Sequence, residues 1–438
     1  MAKTYDTYKD SGIAWIGNIP SGWLTIKNKY LYSLLYSGGT PTASEGKFYT
    51  EEGCPFVAIS DMSTTEYVTE TKKYLTEDGI ANKNLKILPS GTILYSIYAT
   101  VGVVSELMID ATISQAMLAI ELKSKINKSY YKYNLKAMKD YIFSQANGNT
   151  QFNLNAEKVS NFVFCFPPLS EQQAIATYLN KKCGEIDSLI SLQEEMISEL
   201  QAYKQSVITE AVTKGLDSNV PMKDSGVEWI GMIPEGWKIQ RLRTLGNCQN
   251  GISKGGEYFG DEFDFPFVNY TDAYKNIDVP YPEGRANSTE EDRKQYSLIE
   301  GDILFTRTSE TIDEIGYAST CTQTIPNAVF SGFLIRFRPT GKELYYGFSK
   351  YYFRSSIHRA FFVKEMNLVT RASLSQNLLK NLPTLIPPLS EQQAIASYLD
   401  EKTSQIDSLI AIKQEKITEL KDYKKSIIYE YVTGKKKV

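Results

Sequence analysis

The chain carries a single histidine, His358, so no cluster of histidines can hold a metal, and a Ser-His-Asp relay would have to be built on that one residue. The five cysteines (Cys54, Cys165, Cys183, Cys248 and Cys321) show no C-x-x-C spacing, and an odd number suits a reducing cytosol better than a disulfide framework. No G-x-x-x-x-G-K-[ST] phosphate loop occurs; "GISKGGEYFG", from Gly251, lacks the pattern and reads as a turn. The Asn-Pro-Pro-Phe/Tyr tetrapeptide of amino-methyltransferases is absent, and the plentiful carboxylates form no recognisable pair at a motif. No catalytic constellation emerges, and His358 reads as a packing or phosphate-side residue.

What remains is the chemistry of recognition. The net charge is −3, so the whole chain is not an electropositive binder, but charge is uneven along it. Residues 121–158 hold seven lysines, Lys123 and Lys136 among them, against Glu121, Asp140 and Glu157. Residues 336–380 hold five arginines and four lysines, including Arg354, Arg359 and Lys364, against Glu343 and Glu365. Polar clusters go with both: Asn147, Asn149, Thr150, Gln151 and Asn153 in one, and Asn367, Thr370, Arg371, Ser373, Ser375 and Gln376 in the other. Basic side chains contact phosphates, while Asn, Gln, Arg, Ser and Thr read base edges. Tyr98 and Arg307 join these DNA-binding candidates, with Arg307 and Arg371 as the foremost base readers. Arg336 and Arg338, in a strand-like run, read as structural. A solvated charged helix followed by a polar loop would look the same in either segment alone; recurrence at matching places favours DNA.

That recurrence comes from a tandem duplication. "PPLSEQQAIATYLNKKCGEIDSLI" from Pro167 returns as "PPLSEQQAIASYLDEKTSQIDSLI" from Pro387, and 167–213 agrees with 387–433 at 29 of 47 positions. A shorter tag, "KDSGIAWIGNIPSGW" at Lys9–Trp23, returns as "KDSGVEWIGMIPEGW" at Lys223–Trp237, agreeing at 11 of 15. Between tag and long repeat lie variable segments, 24–166 and 238–386, that share only a skeleton. "PFVAISD" from Pro55 answers to "PFVNYTD" from Pro266, and "GTILY" from Gly91 to "GDILF" from Gly301. The parts kept alike look like scaffold and the diverged parts like readers. Short β-rich runs (92–98, 101–106, 117–122, 302–306, 333–338) beside helix-like stretches (129–144, 343–362) make each variable segment a small α/β domain.

The long repeats predict long helices. Ser170 is a suitable N-cap with Gln173 three residues on, nothing from Glu171 to Thr213 breaks the helix, and Gly215 can stop it. Leu179, Ile186, Gln193, Leu200 and Val207 fall on a seven-residue grid. Ile175, Lys182, Leu189, Met196 and Tyr203 fall on a companion grid, with Ile190 and Ile197 broadening the stripe. The second copy repeats it with Leu399, Ile406, Leu420 and Ile427, and with Ile395, Leu409 and Tyr423. Each stripe is too long for one small domain to cover, so the two helices should pair, and the connectivity prefers an antiparallel coiled coil related by a pseudo-twofold. No apolar run approaches the 18 residues of a membrane span, and Met-Ala-Lys-Thr-Tyr-Asp at the start lacks the apolar core of a secretory signal.

With the tag and the "PPLSEQQAIA-x-YL" helix opening both present twice, the sequence resembles the specificity subunit of type I restriction–modification systems over essentially its whole length. The resemblance implies an α/β fold class: two small α/β target recognition domains separated by two long antiparallel coiled-coil helices, a pseudo-twofold tandem repeat. The segments are then 1–166, first recognition domain; 167–215, first long helix; 216–386, second recognition domain; and 387–438, second long helix. It implies a cytoplasmic, non-catalytic subunit that binds double-stranded DNA at a bipartite target and docks two modification (methyltransferase) subunits and two restriction subunits. It would hold no cofactor itself, since S-adenosylmethionine, ATP and Mg would be bound by the partners. The family does not fix which residues read bases. All ten arginines lie between Arg241 and Arg371, so the second half-site is expected to carry more G·C. A stand-alone coiled-coil scaffold, or a self-sufficient methyltransferase or nuclease, are the other classes; the diverged domains argue against the first and the missing motifs against the second.

Overall fold

In the structure, a computed structural model that describes residues 4–42, 46–144, 154–309, 315–358, 360–362 and 372–438, each repeated tag is a β-hairpin. The aspartate of "KDSG" closes the turn: a carboxylate oxygen of Asp10 accepts from the Gly12 amide at 3.0 Å, and Asp224 does the same for Gly226 at 2.9 Å. Both glycines have φ of +70°, a conformation that a Cβ disfavours, so the motif needs glycine there.

Contacts divide the chain into two compact units, residues 1–193 with 415–438 and residues 194–414, so each unit takes a part of both long helices. The first unit is built on a five-stranded sheet. Its strands are β1 (Tyr32–Ser37), β2 (Tyr67–Val68), β3 (Ile93–Ser96), β4 (Val104–Leu107) and β5 (Met117–Leu122), in the order β1-β5-β3-β4-β2. The second unit has a four-stranded sheet of β6 (Gly246–Asn250), β7 (Ile303–Thr306), β8 (Ala318–Thr320) and β9 (Leu334–Pro339), in the order β6-β9-β7-β8.

Both sheets are covered on two faces, which the period of two along each strand makes possible. Ile93, Tyr95, Leu118 and Ile120 join a core with helix α1 (Lys128–Ser144), whereas Leu94, Met117 and Ala119 join a second core on the opposite face. In the second unit Ile303, Phe305, Ile335 and Phe337 pack with α3 (Tyr346–Arg354), while Leu304 and Leu334 face the other way. The expected helix over 343–362 is thus shorter, ending at Arg354 and followed by a 3₁₀ turn at Ser356–His358.

The two long helices are α2 (Leu169–Lys214, 46 residues) and α4 (Leu389–Val432, 44 residues). The carbonyl of Pro168 accepts from the amides of Glu171 and Gln172 at 2.9 and 3.0 Å, so α2 starts one residue before the expected cap and Ser170 lies within its first turn. Gly215 ends it at φ +77°, and Gly434 ends α4 at φ +70°.

The repeated motifs are joined to one another. Trp23 is 1% exposed and its indole N–H donates to Glu171 at 3.2 Å; Trp237 donates to Glu391 at 2.9 Å. Gln172 donates to the Pro167 carbonyl at 2.9 Å and accepts from the Asn127 amide at 3.1 Å. Gln392 donates to Pro387 at 2.8 Å and accepts from the Tyr345 amide at 2.8 Å. The tag tryptophan and the Glu-Gln of "SEQQ" therefore hold hairpin, recognition domain and long helix together in each unit.

The helices pair antiparallel in each unit taken by itself. In the first, Tyr178 packs on Tyr431 with ring centroids 4.5 Å apart and Lys424 meets Asp187 at 2.6 Å. In the second, Lys413 lies 3.3 Å from the Met196 sulfur and Lys204 meets Asp407 at 2.7 Å. The seam is not quite the expected one. Ile175, Leu179 and Ile186 are buried as foreseen, with Leu200 and Val207 half-buried, but Leu189, Met196, Tyr203, Leu409 and Tyr423 are exposed. The companion grid is Ile190, Ile197, Lys204 and Ala211 instead, one position further on. Both grids satisfy a period of seven; a lysine at 204 hides the true one, because its stem lies in the seam while its ammonium reaches the aspartate.

Candidate nucleic-acid interface

In the second unit the chain leaves β7 at Arg307 and enters β9 from the turn Ser331–Gly332–Phe333. The Arg307 amide donates to the Phe333 carbonyl at 2.9 Å, and the Arg307 carbonyl accepts from the Leu374 amide at 2.8 Å. Phe333 belongs to none of the apolar clusters and is 61% exposed. The Arg307 guanidinium reaches only the Gly332 carbonyl, at 3.4 Å, and its buried Nε has no partner among the described residues. Both border a cleft of about 800 Å³ whose wall includes Ser253, Asn269, Thr308 and Ser373. The rest of the wall is largely apolar, with Ile252, Phe259 and Phe267, so the cleft offers apolar contact from its rings and hydrogen bonds from the arginine fork and a few polar groups to a base edge.

The same turn exists in the first unit. The Ile97 amide donates to the Ala116 carbonyl at 2.9 Å, and the Ile97 carbonyl accepts from the Leu154 amide at 3.2 Å. Here the outward side chains are Tyr98, 40% exposed, and the exposed Gln115.

A family model of the type I restriction modification DNA specificity domain matches residues 20–202 and again 234–422. The chain belongs to this family. It is a type I specificity subunit with DNA-recognition domains, the recognition component of such a system and not its catalytic one. The MjaIX specificity subunit of Methanocaldococcus jannaschii is 25% identical over 313 residues, 68% of this chain and 69% of that one. The StySPI specificity subunit of Salmonella potsdam is 21% identical over 438 residues, 95% of this chain and 90% of that one. A solved structure described as the basis of complex assembly and conformational transition of the type I R-M system superposes with a TM-score of 0.70. It is 17% identical and covers 94% of this chain and 98% of its own. The HsdS subunit of Thermoanaerobacter tengcongensis follows at 0.50, also 17% identical, covering 95% and 98%. These two likenesses support the fold.

Within this specificity subunit the expected DNA-binding residues do not all converge. Tyr98 follows β3 and its amide donates at 3.3 Å to the Ala116 carbonyl, in the turn that feeds β5, whereas Lys123 follows the far end of β5 and donates to the Tyr30 carbonyl at 2.9 Å. Lys136, on α1, pairs with Glu66 at 2.9 Å. Burial would raise the Glu66 carboxyl, but the Lys136 and Lys132 ammoniums beside it outweigh that and hold it below the usual range. Arg354 donates to the carbonyls of Ala273, Ala318 and Tyr274 at 3.2, 3.2 and 2.6 Å and stacks over Tyr317, and burial lowers its pKa. Its fork is spent on the fold. Gln376 is half-buried, with its amide bonded to the Cys248 carbonyl at 2.9 Å and the Asn250 amide at 3.2 Å. Asn147, Asn149, Thr150, Gln151, Asn153, Arg359, Lys364, Asn367, Thr370 and Arg371 lie outside the described residues.

Arg336 and Arg338 are structural, as read from their strand. Arg338 grips Asp302 at 2.6 Å, which raises its pKa, and Arg336 bonds Gln249 while burial lowers its own. His358 is 1% exposed and packs against Tyr352 at 4.7 Å and Trp229 at 6.0 Å, a packing residue. Among the described residues no three His, Cys, Asp or Glu side chains gather in a metal-holding group, and no helix is long and apolar enough to cross a membrane. The exposure of Gln115 and Phe333 at these turns is not evident from the sequence pattern, which places Phe333 in a strand; the Ser-Gly before it is the signal for a turn.

Proposed function

We propose that this subunit recognises a bipartite target on double-stranded DNA, one half-site per recognition domain with an unread spacer between them. It docks two modification subunits and, in the full complex, two restriction subunits. The observation that carries this reading is the split between what the repeats share and what they do not. Tag, tryptophan–glutamate joint and helix pairing are the same in both units, while the side chains that the matching turns present differ. Like platforms suit like partners, and unlike readers suit unlike half-sites.

Support for docking comes from apolar side chains that the helix pair leaves uncovered: Leu189, Leu192 and Tyr423 in the first unit, and Met196, Tyr203, Leu409 and Ile412 in the second. In each unit these exposed side chains lie on the paired long helices, the element both copies share. In this reading S-adenosylmethionine, ATP and magnesium belong to the partner subunits, and the complex works in the cytoplasm. Footprinting the subunit together with its methyltransferase partners tests the reading. Two protected patches flanking an unprotected spacer are expected, with affinity falling steeply as salt rises. A single continuous footprint, or binding indifferent to sequence, would count against it.

A further inference from the structure

Resting on the specificity-subunit reading, we propose that Arg307 and Phe333 set the base preference of the second half-site, and that the corresponding turn of the first domain, presenting Tyr98 and Gln115, sets the first. The backbone of the two turns is the same. Besides the bonds at Arg307 and Ile97, the Ser331 amide donates to the Val268 carbonyl at 3.0 Å and the Ser114 amide to Val57 at 3.0 Å. The Gly316 amide donates to Thr306 at 3.0 Å and the Gly102 amide to Ser96 at 3.1 Å. One framework therefore holds Arg307 and Thr308 where the other copy has the buried Ile97 and the exposed Tyr98, and Gly332 and Phe333 where it has Gln115 and Ala116. A scaffold position would keep the side chain along with the backbone; a reading position keeps the backbone and changes the side chain.

The energetics point to the same place. A phenylalanine 61% exposed at the border of a largely apolar cleft leaves much of its ring in water, and among the described residues the Arg307 fork makes one long contact, at 3.4 Å, to the Gly332 carbonyl. Duplex DNA in the cleft would bond the terminal nitrogens of the fork and cover the ring. The arginine fork matches O6 and N7 of guanine in the major groove, and the ring matches a thymine methyl on a neighbouring pair. The other arginines described in the second domain's core are held elsewhere: Arg336 and Arg338 by Gln249 and Asp302, and Arg354 by three carbonyls. Lys254, at the cleft wall, is paired with Asp292 at 2.8 Å and supplies charge more than choice.

The test uses the full chain assembled with its methyltransferase subunits, wild type against Arg307→Ala, Phe333→Ala and Gln115→Ala. Each complex is competed, at one fixed salt, against duplexes altered one base pair at a time. A wrong pair should cost the wild type about 5- to 150-fold. Arg307→Ala should flatten that preference at a G·C position of the second half-site, Phe333→Ala at a neighbouring position, and Gln115→Ala only in the first half-site. Arg307→Lys, which keeps the charge without the fork, should flatten the same position and serves where the alanine variant melts early. An unchanged position profile overturns the proposal, as does a loss of affinity equal for every duplex. A wild-type complex with no preference at any position would instead undo the specificity-subunit reading itself.

Discussion

The ammonium of Lys424 sits 2.6 Å from both carboxylate oxygens of Asp187. The second unit repeats the contact with Lys204 and Asp407 at 2.7 Å, and these are the same two repeat positions with the helices exchanged. The aspartates are about half exposed, so each pair should stabilise by about 0.2–1 kcal/mol. Their greater use is register: a slip of either helix sets the lysine against an apolar neighbour. Asp187→Lys should therefore lower stability slightly, and adding Lys424→Asp should restore most of the loss. A double-mutant cycle by urea unfolding reads the coupling; a value of zero would show that the pair does not fix register.

The joint between tag and long helix is expected to matter far more. Trp237 is buried and anchored to Glu391 at 2.9 Å. Trp237→Ala should cost about 3–5 kcal/mol, enough to unfold a marginal unit. Glu391→Gln keeps an acceptor for the indole N–H and should cost about 1–2 kcal/mol. Thermal unfolding of both variants checks this ranking; the glutamine variant proving the worse would mean the charge, not the hydrogen bond, holds the joint.

The other tag tryptophans face differently. Trp15 stacks on Tyr141 with centroids 5.3 Å apart and accepts at its carbonyl from the Tyr429 hydroxyl at 2.9 Å; Trp229 leans on Phe361 at 6.2 Å. Both are only half-buried. Changing both to Ala should weaken stability or assembly with the methyltransferase subunits and leave the methylated motif as it is. Size-exclusion chromatography of the reconstituted complex, together with methylation mapping, reads the two effects; an altered motif would make these residues readers.

Much of this was legible in the sequence because repetition separates scaffold from reader without any structure. The tags, the long helices and the antiparallel preference follow from 29 matches in 47 positions and from a seven-residue grid. The companion grid was misplaced because Leu189, Met196 and Tyr203 are more apolar than Ile190, Ile197 and Lys204 taken together, and periodicity alone cannot say which neighbour of a stripe faces the partner. Arg354 was drawn to DNA by its charge, but three carbonyls from two segments, at Ala273, Tyr274 and Ala318, converge on it only in the fold. Phe333 was missed for the opposite reason, since a phenylalanine opening a strand is ordinarily a core residue.

The first long helix joins the two recognition domains in sequence, and its length should set the spacer of the target. Four residues inserted near Glu194 add roughly 6 Å of helix and turn it about 40° beyond a full turn, which nearly keeps the seam as in a stutter. The spacer should grow by about two base pairs, at roughly 3.4 Å each, with both half-sites unchanged. Two inserted residues should rotate the stripe by about 200° and destroy pairing. An unchanged spacer in a folded, active four-residue variant would show that the helix is not the ruler.

The most direct measurement is single-molecule sequencing of DNA from cells that express the subunit with its methyltransferase partners, mapping every methylated adenine. One bipartite motif is expected, two short specified stretches separated by a fixed number of unspecified pairs. Methylation at a single contiguous motif would contradict it, and so would a motif that stays the same when the whole segment 238–386 is exchanged for that of a relative.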